Sequence, residues 1–171
     1  MKKTFFFLAF VAIISYGQAQ ELQKNRTEVK FNAFSLAIGA IDFEFERTLN
    51  KHSSLGMSMR LAFNEGQYSE ISTFYRRYLG KKYASGFFVE GFAIYHQKKD
   101  LFNRTFHFGT LNVLETRSDF ALGLGIGYKW VSKKGLILQT HLGAGPNLIN
   151  GKNSYGERFA GKAGISIGFG F

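Results

Sequence analysis

Cysteine is absent from this chain of 171 residues. No disulfide can hold the fold, and no thiolate is on hand as nucleophile or metal ligand. Proline occurs once, at Pro146, and no run of eighteen apolar residues follows residue 19. A membrane-spanning helix needs about twenty, so that route across a bilayer is closed. A spanning barrel remains open, because strict alternation hides its apolar face from any average. Acid is scarce as well: 12 Asp and Glu stand against 22 Lys and Arg, a net charge of +10.

Glycine and phenylalanine are abundant, at twenty each. Helices use neither so freely, since a glycine costs about 1 kcal/mol in a helix interior. Aromatics and glycine with almost no proline point to sheet. The head of the chain reads differently. Met1-Lys2-Lys3 is basic, Phe5 to Ile14 is a run of ten apolar residues, and Gly17 and Ala19 are small residues at a cleavable position. That order is a secretory signal peptide over 1–19, leaving 20–171 as one domain. Without Lys2 and Lys3 the balance is 20 basic to 12 acidic residues, or +8. Export disfavours nucleic acid as a partner. Anionic lipid headgroups or cell-wall polymers fit the charge better.

After a polar lead over 20–27, period-two alternation recurs along the chain. Its apolar members are Val29 and Phe31; Ile41, Phe43 and Phe45; Leu55, Met57, Met59 and Leu61. The residues Ile71 to Leu79 form a fourth strand, in which Arg76 and Arg77 cannot both face inward without a bulge. Later strands run over Phe87–Tyr95, Phe120–Trp130, Leu136–Ala144 and Gly161–Phe171. The last ends on an aromatic, which predicts a strand docked in a sheet. The count is eight, an even number joined as hairpins, as small outer-membrane barrels require. Connections after the second, fourth and sixth strands are short (TLNKHS, GKKYAS, SKKG). Those after the third, fifth and seventh are longer, with irregular loops predicted over 98–117 and 146–160. Short inner turns and long external loops alternate in this way in membrane barrels. The first connection, Ser35 to Gly39, is a tight one and breaks the rule.

The expected fold is therefore all-β, an eight-stranded antiparallel up-and-down transmembrane barrel. Its apolar faces meet lipid. Its other faces carry Asp42, Glu44, Glu46, Arg60, Arg77, Glu90, Lys129, His141 and Lys162 into a lumen only just wide enough for side chains. Buried charges must pair, so this set predicts a plugged lumen without a wide pore. Tyr78, Tyr83, Tyr128 and Trp130 border the short turns, where an interfacial belt of Tyr and Trp belongs. Lys51, Lys81, Lys82, Lys133 and Lys134 lie on those turns, where they either touch headgroups or cell-wall polymer or, the favoured reading, keep the turns solvated.

The stretch KFNAFSLAIGAIDFEFERTLNKHSSLGMSM over 30–59 and the closing GKAGISIGFGF resemble a family of small Bacteroidetes outer-membrane barrels of unknown function. The match rests on an early K-x-N segment that leads to a hydrophobic–Gly–Glu/Phe–Glu strand and then LN-K-x-S-hydrophobic-G. More distantly the plan is similar to OmpA-membrane-domain and OmpX-like barrels. The resemblance implies a barrel in the outer membrane. It implies no activity and brings no catalytic residue.

No independent motif adds chemistry. Glu44 and Glu46 share a face, as any residues two apart on a strand do. His52, His96, His107 and His141 are scattered without metal-ligand spacing, and the glycine runs lack phosphate-loop or dinucleotide signatures. No catalytic residue, metal or cofactor is expected. The reading is a non-enzymatic, monomeric barrel in contact with outer-membrane lipid. It would act through external loops in binding, adhesion or envelope structure, with Phe102, Arg104, Phe106, His107 and Phe108 as loop candidates for a partner of unknown identity. Two alternatives stand: a lipid-modifying outer-membrane enzyme, and a secreted soluble barrel that binds a small apolar ligand.

Overall fold

The computed structural model describes residues 26–63, 68–106, 109–148 and 158–171; residues 1–19, expected to be a signal peptide, lie outside them. Eight strands close into an antiparallel up-and-down barrel, each paired with its sequence neighbours and the last with the first. They are β1 (Thr27–Asn32), β2 (Ala40–Asn50), β3 (Ser53–Ala62), β4 (Tyr68–Tyr78), β5 (Gly86–Phe106), β6 (Gly109–Val131), β7 (Leu136–Pro146) and β8 (Phe159–Gly170). Among the described residues no helix is long and apolar enough to cross a membrane.

Closure follows from the ladders. Stepping across the pairs from Glu28 to Glu46, Gly56, Phe74, Phe92 and Gly123, and on through β7 and β8, returns to the β1 side about ten residues from the start. That offset tilts the strands and leaves a narrow interior. Alternation then sorts the side chains. On β2, Phe43 is 56% exposed on the outer wall while Glu44 beside it is 4% exposed in the lumen. Leu124 and Ile167 face outward; Lys162 and Ser166 face inward.

Glycine placement explains how the lumen accepts large side chains. Phe74, Phe92 and Phe88 point inward, and each is paired across the ladder with a glycine: Gly56, Gly123 and Gly127. A Cβ at Gly123 or Gly127 would collide with the facing ring. The alternating glycines of β6 are thus the space into which the aromatics of β5 fold. Gly135 serves another purpose. Its φ of +86° closes the SKKG turn in a region that side chains with a Cβ avoid.

Three elements differ from the sequence reading. The polar lead ends earlier than expected, because Thr27 already pairs with Arg47 and Arg26 is buried. The first connection holds a short helix, α1 (Ala33–Ala37), that turns at Gly39 with φ +77°. Its buried Ser35 donates a hydrogen bond to Asp42 Oδ2 at 3.1 Å, which draws the helix over the barrel mouth. The irregular loop predicted over 98–117 is instead strand. β5 and β6 continue as one ladder through Lys98↔Arg117 to Phe106↔Gly109, while β4 leaves β5 at Lys98 and β6 takes up β7 only at Leu124. Its mixture of polar and aromatic residues lacks clean period two, and cross-strand pairing supplied the order that the pattern concealed.

Candidate functional site

The lumen is the most highly organised part of the molecule, and β2 supplies its acidic spine. Asp42, Glu44 and Glu46 lie on one face because they are two residues apart. Arg76 on β4 is the hub, with no exposed surface. Its Nη1 lies 2.7 Å from Glu44 Oε1 and 2.5 Å from Glu46 Oε2, and its Nε lies 2.5 Å from Glu90 Oε2. Its guanidinium sits 3.9 Å over the Phe74 ring. Gln139 on β7 accepts from Arg76 at 3.0 Å and from Lys30 at 2.9 Å, and donates to Glu44 at 3.3 Å. The amide therefore uses both ends of its dipole to join cations to a carboxylate.

Toward the short turns the network continues through β1. Lys30 pairs with Glu28 at 3.2 Å, with Glu44 at 2.6 Å, and with Glu46. Lys129 pairs with Glu28 at 2.9 Å and Glu46 at 2.7 Å. Arg26 closes the series on Glu28 at 2.7 Å and donates to the Ala84 carbonyl at 3.2 Å. Tyr78 donates its hydroxyl to Glu46 at 2.5 Å. Toward the mouth, Arg60 holds Asp42 at 3.0 Å and Glu70 at 3.4 Å, and Tyr68 donates to Glu70 at 2.6 Å. Lys162 lies 3.2 Å from Glu90 Oε1 and 4.1 Å from the Phe74 ring centroid.

The lumen is thus close to neutral. Arg26, Lys30, Arg60, Arg76, Lys129 and Lys162 stand against Glu28, Asp42, Glu44, Glu46, Glu70 and Glu90. Every one of these carboxylates has a cation within 3.4 Å. Mutual pairing offsets the several kcal/mol that each buried ion would otherwise cost. Chemically the arrangement braces the strands and fills the bore. It leaves little free charge with which to bind or react.

Of the residues predicted for the lumen, Asp42, Glu44, Glu46, Arg60, Glu90, Lys129 and Lys162 meet there. Arg77 does not: it is exposed on the outer wall, and its neighbour Arg76 takes the inward position. β4 is regular through both residues, pairing Arg76 with Glu90 and Arg77 with Val89, so parity alone decides. His141 is buried in the lumen, yet neither ring nitrogen has a hydrogen-bond partner. Tyr78, expected at the membrane interface, is also a lumen residue; Tyr128 and Trp130 do face outward. Phe102, Arg104 and Phe106 fall on strand β5 rather than on a loop, and His107 and Phe108 lie outside the described residues. Sequence reasoning missed Arg26, Glu28, Lys30 and Glu70. Glu28 and Lys30 alternate with Val29 and Phe31 as plainly as the β2 set does, so the signal was present in a strand only six residues long.

Among the described residues no constellation for catalysis assembles. His96 Nε2 lies 3.6 Å from Asp119 near the mouth, and its buried Nδ1 has no hydrogen-bond partner among the described residues. Among the described residues no group of three His, Cys, Asp or Glu could hold a metal.

Comparison with solved structures finds the N-terminal β-barrel domain of Pseudomonas aeruginosa OprF. The TM-score is 0.54 at 14% identity, with 87% of this chain and 98% of that domain covered. The two chains share a barrel fold. At this identity the likeness carries fold alone, and it agrees with the distant resemblance to OmpA-type barrels. No protein-family model matches the chain, and neither does any curated protein.

Proposed function

We propose that the protein is an integral outer-membrane barrel with a closed lumen, exported through its first 19 residues. In this reading it acts as a monomer in binding, adhesion or envelope structure. The observation that carries this is the inversion of the sheet. Phe43, Phe45, Leu122, Leu124, Ile126, Leu138, Ile165 and Ile167 are exposed on the outer wall, while the ions are buried and paired inside. A soluble barrel that binds an apolar ligand has the opposite arrangement, so that alternative loses its support. Contiguous apolar surface on this scale needs a cover, and hydrocarbon is the cover a closed barrel is built for.

The charge-filled section through Arg76 supports a structural or binding role over a conducting one. The long β5–β6 hairpin, which rises past the pairing of its neighbours, supports an external contact site. Phe102, Arg104 and Phe106 sit on it.

Fractionation of the native host's envelope tests the proposal, with gel migration before and after boiling as readout. An outer-membrane pool whose mobility shifts on boiling is expected. A pool recovered wholly without detergent would end the membrane reading. Stepwise conductance in planar bilayers, blocked by nothing but refolding failure, would overturn the closed lumen.

A further inference from the structure

The outer wall carries a cation that the lumen network does not use. Arg77 stands outward on β4, between Ser53 of β3 and Val89 of β5. Among the described residues it has no ion pair, hydrogen bond or ring contact, whereas Arg76 next to it touches three carboxylates. Arg47, on the outer row of β2, is held by Thr27 at 2.5 Å. An arginine left without a partner on a wall of apolar side chains is an open anion site.

Arg77 also borders a groove of about 790 Å³ in that wall. Tyr75, Gly91, Leu124 and Leu142 line it, together with the backbone at Gly125 and Gly143. The missing side chain at Gly91 matters most: a Cβ there would meet only Leu124 Cδ2, at 4.0 Å. The trough is therefore left open rather than filled from within. It runs from Arg77, near the short turns, toward the middle of the wall.

The surroundings set the sign of the occupant. Arg47, Lys51, Lys81, Lys82, Lys133 and Lys134 are exposed at this end of the barrel, while its acids, Glu28 and Glu46, are buried and paired. The turn after β4 also abuts Lys51, with the Ala84 amide donating to the Lys51 carbonyl at 2.8 Å. A second copy of this chain on the same face would bring Arg77 and its lysine neighbours against their own images, which like-charge repulsion disfavours.

We infer that this groove holds one anionic phospholipid, its phosphodiester on Arg77 and an acyl chain laid along the trough beside Gly91 and Leu124. The inference rests on the outer-membrane reading and places the lipid in the leaflet that faces the short turns. Lys81 and Lys82 add a diffuse attraction for the headgroup; Arg77 supplies the directed contact.

The test is native mass spectrometry of the full folded barrel in detergent. Phosphatidylglycerol or phosphatidylcholine of matched acyl chains is added, and a boiling-dependent gel shift certifies the fold of each sample. Wild type should retain one phosphatidylglycerol in preference to phosphatidylcholine. Arg77→Gln should lower phosphatidylglycerol retention about fivefold, the weight of one arginine near a lipid surface, and lower phosphatidylcholine retention by less, because choline already offsets the charge of the same phosphodiester. Gly91→Leu, which fills the trough, should lower retention of both lipids. Equal retention by wild type and Arg77→Gln overturns the site. So does a series of equivalent, unsaturable lipids, or competition by soluble glycerol phosphate as strong as by the lipid. A dimer abolished by Gly91→Leu with lipid retention intact assigns the groove to a second copy instead. A chain that stays soluble without detergent sinks the membrane reading and this site together, whereas a detergent-folded barrel without the preference sinks the site alone.

Discussion

The same eight strands present two unlike surfaces, one residue apart. The lumen spends its space on ions, an amide and aromatic rings, and Glu28, Asp42, Glu44, Glu46, Glu70 and Glu90 are each held by a cation. The outer wall is largely apolar, with a trough left beside Gly91. On β4 the contrast narrows to adjacent arginines: Arg76 is sealed and bonded to Glu44, Glu46 and Glu90, and Arg77 is exposed and unpartnered. The lesson is that stability and recognition are carried on opposite faces of one backbone. Inside, position is over-determined by several bonds per group. Outside, the wall is left free to meet its surroundings.

The largest expected effect breaks the inner face. Arg76→Met leaves three buried carboxylates short of a partner and should cost about 3–5 kcal/mol. Urea unfolding of the barrel in lipid vesicles measures it. Arg77→Met should change the same curve by less than about 0.5 kcal/mol. Comparable losses for the two variants would mean that parity on β4 has been assigned the wrong way round.

Next comes the outer face. Leu124 is 77% exposed, and in a soluble protein its replacement by Arg would shift stability by no more than about 0.5 kcal/mol. In a bilayer Leu124→Arg should cost up to about 2–4 kcal/mol, according to its depth. A negligible cost in vesicles would show that this part of the wall does not meet hydrocarbon.

Glycines sharpen the comparison further. Gly127→Ala puts a methyl group against the Phe88 ring and the Thr140 carbonyl, an overpacking worth about 1–3 kcal/mol. Gly91→Ala points the same methyl group into open space and should stabilise the strand, by up to about 1 kcal/mol. Thermal unfolding in detergent, followed by circular dichroism, separates the two; effects of the same sign would contradict the facing of β5 or β6.

The smallest effect is a coupling. Glu90→Gln and Lys162→Met should interact by about 0.5–3 kcal/mol in a double-mutant cycle, because the pair shares one contact at 3.2 Å. Strict additivity would remove Lys162 from the network and leave it a spectator beside Phe74.

Much of this was legible beforehand. Period two determined the strand number, the order of the hairpins and which residues share a face, because side chains on a strand alternate whatever the strand is packed against. The same alternation determined that Glu44 and Lys162 would lie opposite Phe43 and Ile167. What alternation could not determine is which of two adjacent like residues turns inward. Arg76 and Arg77 are chemically equivalent in one dimension, and only the register with β5 set the parity. Nor could it find that 98–106 and 109–117 form a ladder, since their order comes from pairing with each other rather than from a two-faced pattern. Hairpin register already sets pairs such as Asp42–Arg60 and Arg76–Glu90, but the partners of ions on distant strands were decided by closure. Lys129 and Glu28 are about a hundred residues apart in the chain, and they meet at 2.9 Å only because the eighth strand returns to the first. Local pattern chooses a face; a closed ring chooses the neighbour across it.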